Sequence, residues 1–246
     1  MSSDEARQQL LLIGKLRVGI GVGASPSAFW AVNDPATGQA RGVTVDLANA
    51  LAQKLNVPLQ LVIYPNSGEV VAAGPKGEWE VAFMPEDAER RKLVDFGPAY
   101  YISTSTYLAR GGSGIQSLAD VDRPGVRVAG IANTATARTA IGQLKNTKLV
   151  SFRTVDEVMA KMKAGEIDAI ALGRETLQGL APQIPGSKIL DGHFHAAGNA
   201  IAVPKGKPAA LAYAAAFIEE AKRDGTVRKA LDNAGLKDAP VAPPAK

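Results

Sequence analysis

Apolar residues alternate with others through Leu16-Arg17-Val18-Gly19-Ile20-Gly21-Val22, which predicts a first strand. The segment Asn33 to Gly38 is dense in turn residues and is expected to join two hairpin strands. From Gly42 the period changes. Leu47, Leu51 and Leu55 recur every four residues, one face of a helix that Pro58 ends. Leu59 to Tyr64 is a continuous apolar run and reads as the next strand. Strand, helix and strand in this order predict a βαβ unit in a largely parallel sheet.

The pattern then repeats. Glu69 to Met84 reads as helix, then Gly77-Glu78-Trp79-Glu80, then the strand Val81-Ala82-Phe83. Asp156 to Leu172 reads as helix, then Gly165-Glu166-Ile167-Asp168, then the strand Ala169 to Leu172. Two helix–turn–strand copies in one chain suggest two lobes of related topology. Near the end, Pro240, Pro243 and Pro244 mark an expected disordered tail.

Candidate chemistry concentrates between Glu78 and Tyr101. A short apolar strand breaks at Pro85. An acidic loop follows, then Arg90 and Arg91, then an apolar segment ending in Gly97-Pro98 and two tyrosines. An arginine just past a strand end presents a planar fork of donors suited to a carboxylate. The run Glu86 to Lys92 also reads as a solvated, ion-paired face, and composition by itself favours that reading.

This stretch resembles the "E-R-x-x-x-V-D-F-S-x-P-Y-Y" signature of the family 3 periplasmic solute-binding proteins, with Glu89-Arg90 and Val94 to Pro98 at its spacing. Gly42 to Ala48, Ser117 to Val121 leading to Gly125 to Ala129, Asn199 to Gly206 and Phe217 to Thr226 follow the family's further segments in order. The resemblance implies an α/β, two-lobe type II periplasmic-binding-protein fold, with two sheets flanked by helices and joined by a two-strand hinge. Lobe 1 is expected over 1–107 plus 198–246 and lobe 2 over 108–197. The two crossings fall within Ser103 to Arg110 and His195 to Val203.

The resemblance assigns Arg90 to the carboxylate of the solute. It puts Trp30 or Phe29 at the stacking position of the loop after strand one, where an aromatic ring supplies contact area at little entropy cost. It places Asn133 and Thr134 at a helix N-terminus that donates amides to the same carboxylate. Either residue would serve equally as an ordinary N-cap. Ala82-Phe83-Met84-Pro85 stands where the family's strand end reads "A-G-x-T", which loses a threonine hydroxyl and adds the bulk of Phe83 and Met84. An aspartate that pairs with the ammonium of amino-acid solutes is replaced by Gly173, with Arg174 and Glu175 beside it. These departures, with Arg174 as a second positive group at the site, predict weak binding of standard α-amino acids and a preference for carboxylates that lack an ammonium or carry a second acidic group.

Composition narrows the alternatives. The chain has 246 residues, 46% hydrophobic and 21% charged, ordinary for a soluble globular protein. No apolar run reaches the roughly 20 residues that span a bilayer. Leu10 to Ile13 follows Asp4 and Glu5, the wrong flank for a signal peptide, so an exported protein would have lost its signal before Met1. A net charge of +4 from dispersed basic residues argues against a nucleic-acid surface. With no cysteine and only His193 and His195, no metal site is expected and no cofactor is implied. The glycines of Gly19-Ile20-Gly21-Val22-Gly23 lack dinucleotide-loop spacing.

The expected protein is a periplasmic, monomeric, non-enzymatic binder that delivers a small carboxylate-bearing solute to an ABC transporter permease. The alternative is a cyclohexadienyl or arogenate dehydratase-like enzyme on the same fold. Glu175 is then the candidate general acid, because a carboxyl in a dry cleft has a raised pKa.

Overall fold

The computed structural model describes residues 3–23, 30–132 and 134–245. In chain order the elements are α1 (Ser3–Leu10), β1 (Leu16–Gly21), β2 (Val32–Asn33), β3 (Ala40–Arg41), α2 (Val43–Leu55), β4 (Leu59–Tyr64), α3 (Ser67–Ala73), β5 (Val81–Pro85), α4 (Arg90–Leu93) and β6 (Val94–Ala109). Then come α5 (Leu118–Val121), β7 (Val128–Ile131), α6 (Ala135–Gln143), β8 (Leu149–Phe152), α7 (Val155–Lys163), β9 (Ala169–Gly173), α8 (Arg174–Leu180), β10 (Lys188–Ile189), β11 (His195–Pro204), α9 (Pro208–Arg223) and α10 (Thr226–Asn233). The chain divides into two units, Met1–Ile102 with Ala197–Lys246, and Ser103–Ala196. It passes between them inside β6 and again inside β11; the divisions expected after residues 107 and 197 fall in the same two strands.

In the first unit the strands run β4-β1-β5-β11, with β1 parallel to both β4 and β5, and β11 antiparallel to β5. Alternation along β5 sends Val81 and Phe83 into a core with α2, α9 and α10. It sends Ala82 and Met84 into a second core with Val70, Trp79 and Val94. Helix α2 begins at Gly42, whose φ of 142° a side chain would resist. It ends at Asn56 in the left-handed region, two residues before Pro58. Leu47, Leu51 and Leu55 are all buried, as their spacing requires. The hairpin of β2 and β3 closes over the loop Asn33 to Gly38 as expected.

Strand β4 forms over Leu59–Tyr64 as expected and is the sheet edge, so Ile63 is 49% exposed. One expectation needs correction. The proline-rich tail is docked. Val241 bridges Tyr101, Ala242 donates its amide to Tyr100, and Lys222 Nζ donates to the Pro243 carbonyl. Ala239 and Ala242 are buried there, and their small apolar side chains give the tail a surface to bury that its prolines concealed.

In the second unit β7 is parallel to β8 and β9, β9 is antiparallel to β6, and β10 pairs β6. Leu108, Ala129 and Ile170 pack with α7 on one face; Tyr107, Val128 and Ala171 pack on the other. The sequence repeat is matched by a repeated clamp. Arg17, in β1, gives its amide and Nε to the carboxylate of Glu80, just before β5. Arg127, just before β7, gives its amide and Nε to Asp168, just before β9. Each acid's own amide donates back to the arginine's carbonyl.

Candidate functional site

In open α/β sheets ligands gather at the carboxyl ends of parallel strands. Each unit places its candidate groups there. In the first unit these are the ends of β1, β4 and β5. A Cβ built on Gly21, at the end of β1, would lie 3.6 Å from the amide of Ser67 and 3.7 Å from Cε3 of Trp30. Ser67 Oγ in turn accepts from Arg90 Nη2 at 2.9 Å. Trp30, Ser67 and Arg90 thus form one cluster around the end of the sheet.

Arg90 is held from several sides. Nη1 donates to the Pro85 carbonyl at 2.9 Å, and Nε lies 3.5 Å from Asp87 Oδ2. Its side chain is only 19% exposed, and burial lowers the guanidinium pKa while Asp87 opposes the shift. A guanidinium carries five N–H donors. Pro85 and Ser67 take one from each terminal nitrogen. One N–H on each terminal nitrogen remains, and an arginine with donors to spare can bind a carboxylate. Arg91 is exposed and ion-paired with Glu86, and Lys92 pairs with Glu89, so the solvated face begins one residue later.

Trp30 is half-buried over the glycines that follow β1. A Cβ on Gly23 would come within 2.9 Å of its ring, and one on Gly19 within 2.8 Å of Trp79. The glycine run therefore makes room for two indoles. Phe29 and Asn133 lie outside the described residues. Phe83 and Met84 are not at the cluster's surface. Phe83 is buried edge-on against Tyr100, and Met84 is buried against Trp79 and Val94. Strand alternation within a two-faced core buries the two side chains on opposite faces of β5.

In the second unit the ends of β7 and β9 carry the groups. Thr134 caps α6: its hydroxyl accepts from the Ala137 amide at 3.1 Å and donates to the Ile131 carbonyl at 2.8 Å. Its hydroxyl is thereby spent on the fold, and the first-turn amides are what this end can offer. Arg174 Nη2 donates to the carbonyls of Leu190 and Gly192, 3.3 and 2.5 Å away. Glu175 Oε2 lies 3.9 Å from where a Gly173 Cβ would stand. Burial raises the pKa of its carboxyl, with a smaller opposing hydrogen bond from its own amide. His195 Nδ1 sits 3.3 Å from Thr139 Oγ1, and among the described residues no group of acids and histidines is arranged to hold a metal.

Residues 16–235 match the family described as bacterial extracellular solute-binding proteins, family 3. The chain belongs to that family. The glutamine-binding protein of Geobacillus stearothermophilus is 27% identical over 192 residues, which are 74% of this chain and 69% of that protein. An ancestral cationic amino acid solute binding protein superimposes with a TM-score of 0.72 at 26% identity, covering 92% of this chain and 97% of that one. An ancestral cyclohexadienyl dehydratase superimposes with a TM-score of 0.60 at 24% identity, covering 95% and 96%. The fold is thus the two-lobe type II periplasmic-binding-protein fold. No helix among the described residues is long and apolar enough to cross a membrane.

Ser67 was not legible as a site residue. Its only signal is the Asn66-x-x-Glu69 capping pattern directly after a strand, which the structure realises through the Glu69 amide donating to Asn66 Oδ1.

Proposed function

We propose that this protein is a non-enzymatic, periplasmic solute-binding protein that delivers a small carboxylate-bearing solute to an ABC transporter permease, and that, like the amino-acid binders it resembles, it takes an α-amino acid rather than the ammonium-free carboxylate expected from Gly173. The observation that carries the reading is Arg90, braced by Pro85 and Ser67 with one N–H left on each terminal nitrogen. That fork takes the solute's carboxylate, and Trp30 covers its apolar part. The resemblance to the family assigns backbone amides of the α6 end capped by Thr134 to the same solute. Gly173 offers no side chain for an ammonium, but the Glu175 carboxyl lies beside it. An incoming ammonium would favour the ionised form of that carboxyl, against the raised pKa it has now. Arg174 is occupied by backbone carbonyls and sets the Leu190 to Gly192 loop. A thermal-shift panel of the common amino acids beside keto, hydroxy and dicarboxylic acids tests this. The largest shift is expected from an α-amino acid, and larger shifts from acids lacking an ammonium would overturn it.

The dehydratase reading rests on the same raised Glu175 carboxyl, which is the form a general acid needs. Incubation with prephenate or arogenate, with product followed by absorbance, separates the two. Turnover abolished by Glu175→Gln would establish the enzyme.

A further inference from the structure

A recess lies in the first unit, between the start of β5 and the end of α4, and Arg90 does not line it. Its volume is about 520 Å³, within the range of small-molecule sites. Trp79 and Glu80, which precede β5, line it, as does Pro204 at the end of the antiparallel β11. Leu12 and Leu93 complete an apolar wall and are 54% and 42% exposed, more solvent contact than such side chains usually keep. Three lysines also line the recess, Lys92, Lys205 and Lys207. Lys92 is paired with Glu89 and Lys205 with Asp95, whereas Lys207 has no ion-pair partner among the described residues. The one acid lining the recess, Glu80, is neutralised by Arg17. The balance is an apolar recess with an unmatched positive charge.

We propose that this recess binds a small organic anion with an apolar body, an aliphatic or aromatic carboxylate, at a site separate from the one built on Arg90. The body lies against the exposed Leu12 and Leu93, over the buried Trp79, and the carboxylate meets Lys207. Both halves are needed. A bare anion gains only a solvated ion pair, and an uncharged chain leaves Lys207 without its partner.

Octanoate is the probe, with acetate supplying the charge without the body and octanol the body without the charge. Trp30→Phe leaves Trp79 as the sole tryptophan, so its emission reports on the recess, and calorimetry on the unaltered protein gives stoichiometry and affinity independently. Octanoate is expected to bind once per chain and to change Trp79 emission, more tightly than either control. Lys207→Glu should weaken it at least about tenfold, the scale of one well-placed charge. Lys163→Glu, an exposed lysine in the other unit carrying the same change of charge, should change it less than about twofold. Equal binding by octanol, equal loss in the two lysine variants, or no binding of octanoate would each overturn the proposal. The lysine variants separate this site from the one at Arg90, since octanoate held by Arg90 alone would bind Lys207→Glu and Lys163→Glu equally.

Discussion

Arg127 grips Asp168 three times over: its amide donates to Oδ2 at 3.0 Å, its Nε to Oδ2 at 2.9 Å, and its Nη2 to Oδ1 at 2.7 Å. Arg110 adds a fourth donor at 2.8 Å. The clamp ties the start of β7 to the start of β9 and to the strand that enters the unit. The Arg127 and Arg110 guanidiniums hold the Asp168 carboxyl far below the usual carboxylate range, against the desolvation that opposes them.

A depressed folded pKa contributes stability that is present above the unfolded value of about 3.9 and is lost as pH falls toward the folded one. The second unit should therefore lose this contribution progressively below about pH 4. Asp168→Asn should cost about 2 kcal/mol at neutral pH, the scale of hydrogen bonds to a charged group, and its deficit should shrink toward low pH. Urea unfolding from pH 7 to pH 3 measures both. A deficit independent of pH would show that packing, not charge, fixes the strand.

Arg90→Ala should weaken binding of the solute that gives the largest thermal shift by about 2–5 kcal/mol, the usual cost of truncating one partner of a buried charge pair. Arg90→Lys should recover only part, since an ammonium cannot bridge Pro85, Ser67 and a carboxylate in one plane. Ser67→Ala should fall between wild type and Arg90→Ala, because it frees Nη2. Arg91→Ala should change little. Calorimetry ranks the four, and a larger effect at Arg91 would move the site by one residue.

Burial raises the Glu175 carboxyl. A carboxyl whose folded pKa is raised favours folding below its unfolded value of about 4.3, and that advantage disappears as pH rises through the folded value. Glu175→Gln should therefore stabilise the solute-free protein at pH 7 and lose that gain below about pH 4. It should weaken amino acids while sparing the matching keto acids. Thermal melts across pH with both ligand classes check the pair of effects.

Asn199 is fully buried in β11, and neither polar atom of its side-chain amide has a hydrogen-bond partner among the described residues. A buried polar group left unmatched costs about 1–3 kcal/mol. Asn199→Val, a β-branched side chain suited to a strand, should raise the unfolding midpoint in urea without changing the slope. A lower midpoint would reveal a partner, such as bound water, that the amide depends on.

The docked tail gives a fifth test. Truncation after Lys237 removes the Val241 bridge and the Pro243 acceptor and uncovers the edge of β6 at Tyr100 and Tyr101. A loss of about 1–3 kcal/mol is expected, read from the same unfolding curves. No loss would mean that the tail merely rests on the surface.

What the sequence determined by itself was everything local. The four-residue spacing of Leu47, Leu51 and Leu55 and the stop at Pro58 define α2, because helix faces and prolines act within a few residues. The repeated helix–turn–strand pattern carried the two-unit organisation, and Arg90 stood out through the residues flanking it. Three-dimensional structure decided the rest. Only the pairing order makes β4 an edge and exposes Ile63. Only the alternation of β5 between two cores turns Phe83 and Met84 inward. Ser67 reaches Arg90 from 23 residues away, and Glu80 and Asp168 find their arginines across 63 and 41 residues. Such contacts depend on where separate strands end relative to one another, and no short-range pattern encodes that.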